Sequence, residues 1–143
     1  FNINTGGQLS LDDLLNSEQS SITGPDKLSG FTSGSISGDE SWYFRGQLNY
    51  KKKLSNKLTL TPYVYGATGV SYTLTPTATE NRATAARSIG LGLKMDGIDN
   101  YFFDKNISAK VEYSKNWATG VLEDVSDVRL NKQHLLVNLA MNF

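Results

Sequence analysis

The chain has no cysteine and a single histidine, so it holds no disulfide framework, no thiolate metal site and no histidine cluster. Nowhere does it offer the run of about 20 apolar residues that a transmembrane helix needs, which excludes a helical membrane protein. Its 14 Lys and Arg balance 14 Asp and Glu, and without a basic stripe there is no electrostatic footprint for nucleic acid. The opening residues from Phe1 carry no basic region, apolar core or cleavage site, so they do not read as a signal peptide. They read as a processed end or as a piece of a longer chain. No segment sustains a helical period. The 38% apolar content looks soluble, yet it also suits a membrane barrel, in which only alternate strand residues meet lipid.

What is present is a period of two. In residues 134–143, Leu135, Val137, Leu139, Met141 and Phe143 share one face, and His134, Asn138, Ala140 and Asn142 share the other. Alternation over about 9 to 11 residues that ends on an aromatic fits a lipid-facing strand of an outer-membrane barrel. Leu139, Met141 and Phe143 are then the candidate assembly signal. Alternation alone would also fit a soluble sandwich strand.

The pattern recurs over residues 1–11, 41–51, 57–74, 86–95 and 106–117, between clusters of Gly, Asn, Asp, Ser and Thr that mark turns. Ile107, Ala109, Val111 and Tyr113 oppose Lys110, Glu112 and Ser114. Ile89, Leu91, Leu93 and Met95 oppose Ser88, Gly90, Gly92 and Lys94, small residues that suit a crowded inner wall. Leu58, Leu60, Pro62, Val64, Val70, Tyr72 and Leu74 oppose Thr59, Thr61, Tyr63, Tyr65, Ala67 and Ser71. Trp42, Phe44, Leu48 and Tyr50 oppose Tyr43, Arg45, Gln47, Asn49 and Lys51, and Phe1, Ile3, Leu9 and Leu11 oppose Asn2, Asn4, Gln8 and Ser10. A strand over 57–74 is far longer than the usual soluble strand of about 5 to 6 residues. The expected fold is all-β, a transmembrane antiparallel β-barrel.

If the last residue is periplasmic, the connections 12–40, 75–85 and 118–132 lie outside and 52–56 and 96–105 lie inside, giving long outer loops and short inner turns. The Lys51–Lys53 run is then a solvated cluster at a periplasmic turn. Trp42, Tyr50, Tyr72, Tyr101, Phe102, Phe103 and Trp117 fall near strand ends, where interfacial belts place aromatics. Six strands fall short of the eight of the smallest usual barrel, and an open edge would leave backbone groups unpaired in hydrocarbon. The chain is therefore expected to be the carboxy-terminal part of a larger barrel.

The Ser- and Gly-rich loop over 12–40 is long enough to ask for a function. Its Asp26-Lys27-Leu28-Ser29-Gly30-Phe31, followed by Ser37-Gly38-Asp39-Glu40-Ser41-Trp42-Tyr43-Phe44-Arg45, resembles the sixth extracellular loop and next strand of two-partner secretion transporters of the FhaC/ShlB/HecB family. The family pattern there is Val-Arg-Gly-Phe, then Leu-Ser-Gly-Asp-x-Gly-Trp-Tyr-x-Arg. Residues 62–69, Pro-Tyr-Val-Tyr-Gly-Ala-Thr-Gly, are similar to that family's following strand. The resemblance implies the last six strands of a sixteen-stranded barrel in the bacterial outer membrane of a Gram-negative cell. It implies a pore that exports an unfolded partner exoprotein by type V secretion, with no catalysis, cofactor or metal. The implied partners are the exoprotein cargo, the lipid bilayer and the outer-membrane assembly machinery, with periplasmic POTRA domains ahead of the barrel.

In that family the loop arginine pairs with an inward aspartate of the wall strand. Those positions are here Ser29 and Ala67. Losing one partner would leave a buried charge unpaired at about 3 to 5 kcal/mol, whereas losing both avoids that penalty and removes the latch. The loop is thus expected to be anchored by neutral contacts, with Phe31, Tyr63 and Tyr65 as candidates. The candidate site comprises the loop motif Leu28, Ser29, Gly30 and Phe31, the facing wall Tyr65, Ala67 and Gly69, and the pore lining Tyr43, Arg45, Gln47 and Tyr63. Arg45 reads either as a loop contact or as a charge solvated in the lumen. Asp39 with Glu40, and Glu123 with Asp124, read as loop charges, since neighbours on a strand point to opposite faces. Asp96, Asp99 and Asp104 fit no calcium loop. His134 has no adjacent acid and is expected to hydrogen-bond a neighbouring strand rather than act as a base. Two alternatives stand beside export. One is an insertase of the wider BamA-related superfamily, working at the seam between the first and last strands; the other is a soluble β-sandwich or lipocalin-like binding module.

Overall fold

The computed structural model describes residues 1–15, 17–54, 58–76, 82–99, 106–121 and 128–141. These contain strands and turns and no helix. The strands are β1 (Asn2–Gln8), β2 (Ser20–Ser21), β3 (Ser37–Gly38), β4 (Glu40–Asn49), β5 (Lys52–Lys53), β6 (Thr59–Tyr72), β7 (Ala83–Asp99), β8 (Asn106–Val121) and β9 (Val128–Met141). Each of the six alternating segments carries one long strand. They pair antiparallel in the order β1-β4-β6-β7-β8-β9, with β5 beside β6, while β2 and β3 form a small ladder inside the long loop.

The boundaries differ from the sequence expectation in two informative places. The connection expected over 118–132 narrows to 122–127, because Gly120 is not a turn residue. It stands in the ladder between Thr84 and Val128. Conversely β1 ends at Gln8, where Ser10 and Asp12 form a local turn through Asp12 N–H and Ser10 Oγ. Leu9 and Leu11 therefore leave the strand and stand fully exposed.

Proline and glycine explain the irregularities of the sheet. The carbonyl of Pro62 accepts from Tyr50 N–H at 2.9 Å, so its nitrogen faces the same neighbour. That nitrogen carries no hydrogen to donate back, and the ladder breaks there, between β4 and β5. Gly97, with φ of +84°, sits at the register shift between Asp96 and Ile98 on β7, a backbone conformation that a bulge takes from glycine at little cost.

The period-two alternation becomes two unlike faces. Leu48, Val64, Leu91, Tyr113 and Leu135 form one continuous row across five strands, and all are exposed. The opposite face is polar and covered. Its row Arg45, Ala67, Ser88 and Asn116 is buried throughout, because the loop between β1 and β4 folds back over it. The core is therefore the seam between loop and wall: Ile22 and Leu28 from the loop cluster with Tyr63, Tyr65, Ala67, Ala86 and Ala118 from the sheet, with Phe31, Ile36 and Tyr43 against its edge. The outer edges of β1 and β9 pair with no strand among the described residues.

Candidate functional site

The site begins with a pairing of tyrosine and glycine. Tyr63 stands opposite Gly92 and Tyr65 opposite Gly90. A Cβ added at Gly92 would meet the Tyr63 ring at 2.3 Å, and one at Gly90 would meet the Tyr65 ring at 2.5 Å. Each ring thus lies flat across the neighbouring strand and carries its hydroxyl towards β8, an arrangement that only a side chain of hydrogen permits. Tyr63 Oη donates to Glu112 Oε2 at 2.6 Å, and Tyr65 Oη lies 3.0 Å from Ser88 Oγ, which donates to Asn116 Oδ1 at 2.6 Å.

Over these rings Arg45 from β4 reaches Glu112 from β8. Three strand spacings separate the two, about 14 Å, and both chains extend towards one another until Arg45 Nη2 stands 3.4 Å from Glu112 Oε2. The guanidinium lies 3.7 Å from the Tyr65 ring centroid and is held by Gln47 Oε1 at 2.9 Å from Nη2. Lys110 Nζ approaches Glu112 Oε2 at 3.2 Å from the other side. Arg45 and Glu112 are 4% and 1% exposed, so each depends on the other to offset the loss of water.

The loop tip docks on this pair. Ser29 Oγ donates to Glu112 Oε1 and accepts from Arg45 Nη1 at 2.6 Å, and Arg45 Nη1 also reaches the Lys27 carbonyl at 3.1 Å. Next to it the Gly30 carbonyl accepts from Asn116 Nδ2 at 2.7 Å. A Cβ at Gly30 would lie 1.8 Å from Asn116 Oδ1, so the tip approaches the wall backbone-first. The shallow apolar dish beside it is floored by Ala67, Gly69, Ala86 and Ala118, and Ile22 Cδ1 lies 3.1 Å from where a Gly69 Cβ would sit.

The root of the loop is tied separately. Asp39 is 2% exposed, and its carboxylate accepts from Leu74 N–H at 2.9 Å, Leu14 N–H at 2.9 Å and Gln19 Nε2 at 3.2 Å. These donors, the Leu74 amide first, hold its carboxyl below the usual carboxylate range against the opposing effect of burial. Gly38 before it packs on the Tyr72 carbonyl, 2.4 Å from an added Cβ. The Ser-Gly-Asp run is thus a backbone knot joining both ends of the loop to the end of β6.

Several expectations need correction. The loop is not anchored by neutral contacts alone. Ser29 and Ala67 do lack the charges of the Arg/Asp latch, but a buried ion pair stands beside them with both charges on the wall, and Arg45 is the direct neighbour of Ala67 in the β4–β6 register. Phe31 packs at the cluster's edge rather than at its centre. Asp39 is a buried acceptor rather than a loop charge. His134 does bond the neighbouring strand, but through its backbone: its carbonyl accepts from Ser114 Oγ at 3.4 Å, while its Nδ1 has no partner among the described residues. Tyr43, Arg45, Gln47 and Tyr63 all lie on the covered face, Tyr43 against Gly6 with the Lys27 ammonium 5.2 Å over its ring. Leu139 is exposed on the apolar face, while Phe143, Asp104, Glu123 and Asp124 lie outside the described residues. Asp96 pairs with Lys94 at 3.1 Å, and no group of ligating side chains among the described residues could hold a metal ion. Glu112 and Asn116 escaped sequence reasoning as site residues; an acid on the polar face of a long strand was the signal available for Glu112.

Fold and site together define an all-β antiparallel wall carrying a clamped, inserted loop. Residues 1–95 match the family of haemolysin secretion/activation proteins ShlB/FhaC/HecB, and the chain belongs to that family. The match takes in the loop, β4, β6 and most of β7, and stops short of the strand that supplies Glu112. Comparison with curated proteins and with solved structures finds no match.

Proposed function

We propose that the chain is the carboxy-terminal part of the barrel of an outer-membrane transporter, and that this barrel exports an unfolded exoprotein from the periplasm. One observation carries the reading: a sheet whose strands β6 to β9 run 14 to 17 residues keeps one face largely apolar and bare and covers the other, polar face with its own loop. On β6 the apolar positions from Leu60 to Val70 span ten residues, about 33 Å along the strand, or about 25 Å of height at a tilt near 40°. That height suits the hydrocarbon core. Trp42, Tyr72 and Trp117 lie towards one end of the bare face, as an interfacial belt would. A soluble module would leave this whole face in water. The unpaired edges of β1 and β9 call for further strands, since open edges are excluded from hydrocarbon; family membership suggests sixteen in all.

In this reading the polar face lines a lumen in which an extended chain can pass without showing its backbone to lipid. The loop occupies that lumen at rest, and its tip must leave the Arg45–Glu112 pair for cargo to pass. No nucleotide is needed if cargo folding outside biases the direction. The test is site-specific cross-linking in the full-length transporter during secretion of its partner. A photoreactive residue at Gln47 or Asn49 should capture cargo, and one at the lipid-facing Leu91 should not. Capture only at Ile3, on the free edge of β1, would reject export in favour of insertion through a seam.

A further inference from the structure

The bare face is not uniformly apolar. Arg87 on β7 and Lys115 on β8 share the side that carries Ile89, Leu91 and Tyr113, and both are exposed. Arg87 stands opposite Trp117 and Lys115 opposite Ile89, so the two cations are diagonal neighbours on adjacent strands, within reach of a common ligand. Lys115 Nζ lies 5.4 Å over the Trp117 ring: its stem runs along the wall towards the end where the long loop lies and lifts the charge out of the apolar band, as snorkelling side chains do. Neither cation has an acidic partner among the described residues, unlike Arg45 and Lys110 on the covered face. Beside them the wall is hollow. In the row Phe44, Thr68, Arg87, Trp117 the large rings stand at the ends. With Gly66 below, they bound an open groove of about 920 Å³.

A hydrophobic trough headed by two cations that lack an acidic partner among the described residues is complementary to an amphiphile with an anionic head. We propose that this groove seats a phosphorylated, acylated lipid of the outer leaflet, its phosphate between Arg87 and Lys115 and an acyl chain along Gly66 and Ile89 between Phe44 and Trp117. The proposal rests on the reading of this face as lipid-facing. The phosphate accepts from the guanidinium fork and from the ammonium, and Trp117 marks the height at which a headgroup meets acyl chains. The seat would fix lipid against the wall just outside the strand pair that carries Asn116, which holds the loop's Gly30 carbonyl, and Ser88, which bonds Asn116.

The test uses the full-length transporter purified in mild detergent, with diphosphoryl lipid A as probe and retention read by native mass spectrometry. Recovery of the protein as a heat-modifiable species from outer membranes examines the lipid-facing reading by itself; a transporter that passes it can still fail to retain the probe. The wild type should retain it. Arg87→Gln with Lys115→Gln should weaken retention at least tenfold, dephosphorylated lipid A should bind the wild type as weakly, and Gly66→Leu, which fills the trough and leaves both cations, should also reduce binding. The proposal is overturned if the double variant or the dephosphorylated probe binds like the wild type with its phosphorylated probe. It is equally overturned if inorganic phosphate alone displaces the lipid at millimolar concentration, because the groove would then contribute nothing.

Discussion

Replacing Glu112 by Gln probes the clamp with almost no change of shape. In the wild type the Arg45 guanidinium, 4% exposed, has one carboxylate partner with the loop seated. Gln can still accept from Tyr63 or Ser29, but it cannot neutralise the arginine, and breaking a buried pair from one side costs about 3 to 5 kcal/mol. The retained hydrogen bonds argue for the lower end. About 3 kcal/mol is roughly a hundredfold in an equilibrium, and it falls on the seated state, since an arginine beneath an unseated loop regains water. Burial of Ile22 and Leu28, at about 1.5 to 3 kcal/mol each, still favours seating, so the variant should fold and insert. Trypsin supplies the readout: cleavage after Lys27 requires the bond to Leu28, which is fully buried, and when closing outpaces cleavage the rate follows the open population. In the full-length transporter, E112Q should be cut at Lys27 about a hundred times faster than the wild type. Adding Arg45→Met, which removes the stranded charge, should restore protection to within about tenfold. Equal rates in wild type and E112Q, or a double variant as open as the single one, would refute a wall-borne clamp.

Gly30→Ala should also unseat the tip, since its Cβ would meet Asn116 while every charge stays in place; single-channel recordings should pass from a quiet to a frequently open pore, and Asn116→Ala in the same chain should restore part of the quiet state by clearing the space. The Asp39 knot gives a pH dependence of known sign. Its carboxyl titrates lower in the folded loop than in a free chain, so its contribution is complete above the ordinary carboxylate range and is lost as pH falls through the lower folded value. A spin label at Ser35→Cys should therefore gain mobility only at acid pH, and Asp39→Asn should give that mobility already at neutral pH, with a loss of about 1.5 to 3 kcal/mol for hydrogen bonds to a charged acceptor. An Asp39→Asn chain whose label is as immobile at neutral pH as the wild type's would remove the knot.

The six strands were legible because each holds its period of two for at least several residues, and a slip of one position would turn every Leu and Val of that strand onto the wrong face. Turn residues were less reliable guides. By composition Gly120 belongs to the connection expected over 118–132 and Gly90 to a wall of small residues, and only pairing shows that the first is ladder and the second the bed of a tyrosine ring. The clamp was illegible for a different reason. Arg45 and Glu112 lie 67 residues apart on strands that are not neighbours, and period-two arithmetic places a residue on a face without saying what it meets across two intervening strands. The loop motif, read through the resemblance, directs Ser29 towards Ala67, whereas Ser29 docks on Glu112 and on Arg45, the register neighbour of Ala67. It pointed to the wrong carriers of the charge.

That relocation alters what seating the loop requires. With a charged tip, opening the pore would separate the two members of an ion pair, and each return would desolvate the loop's charge again. Here the tip offers a hydroxyl and a peptide carbonyl, and opening leaves Arg45 and Glu112 still facing one another and newly hydrated. What is lost is three hydrogen bonds to charged partners, from Ser29 to Glu112, from Arg45 to Ser29 and from Arg45 to the Lys27 carbonyl, at about 1.5 to 3 kcal/mol each, and the Gly30–Asn116 bond, about 0.5 to 1.5 kcal/mol. The apolar seating of Ile22 and Leu28 adds about 3 to 6 kcal/mol together. Seating of the loop is therefore shared between the wall's ion pair and the small residues of the dish. Ala67 belongs to the surface that holds the loop by hydrophobic contact, while Arg45 and Glu112 fix where on that surface the tip can land.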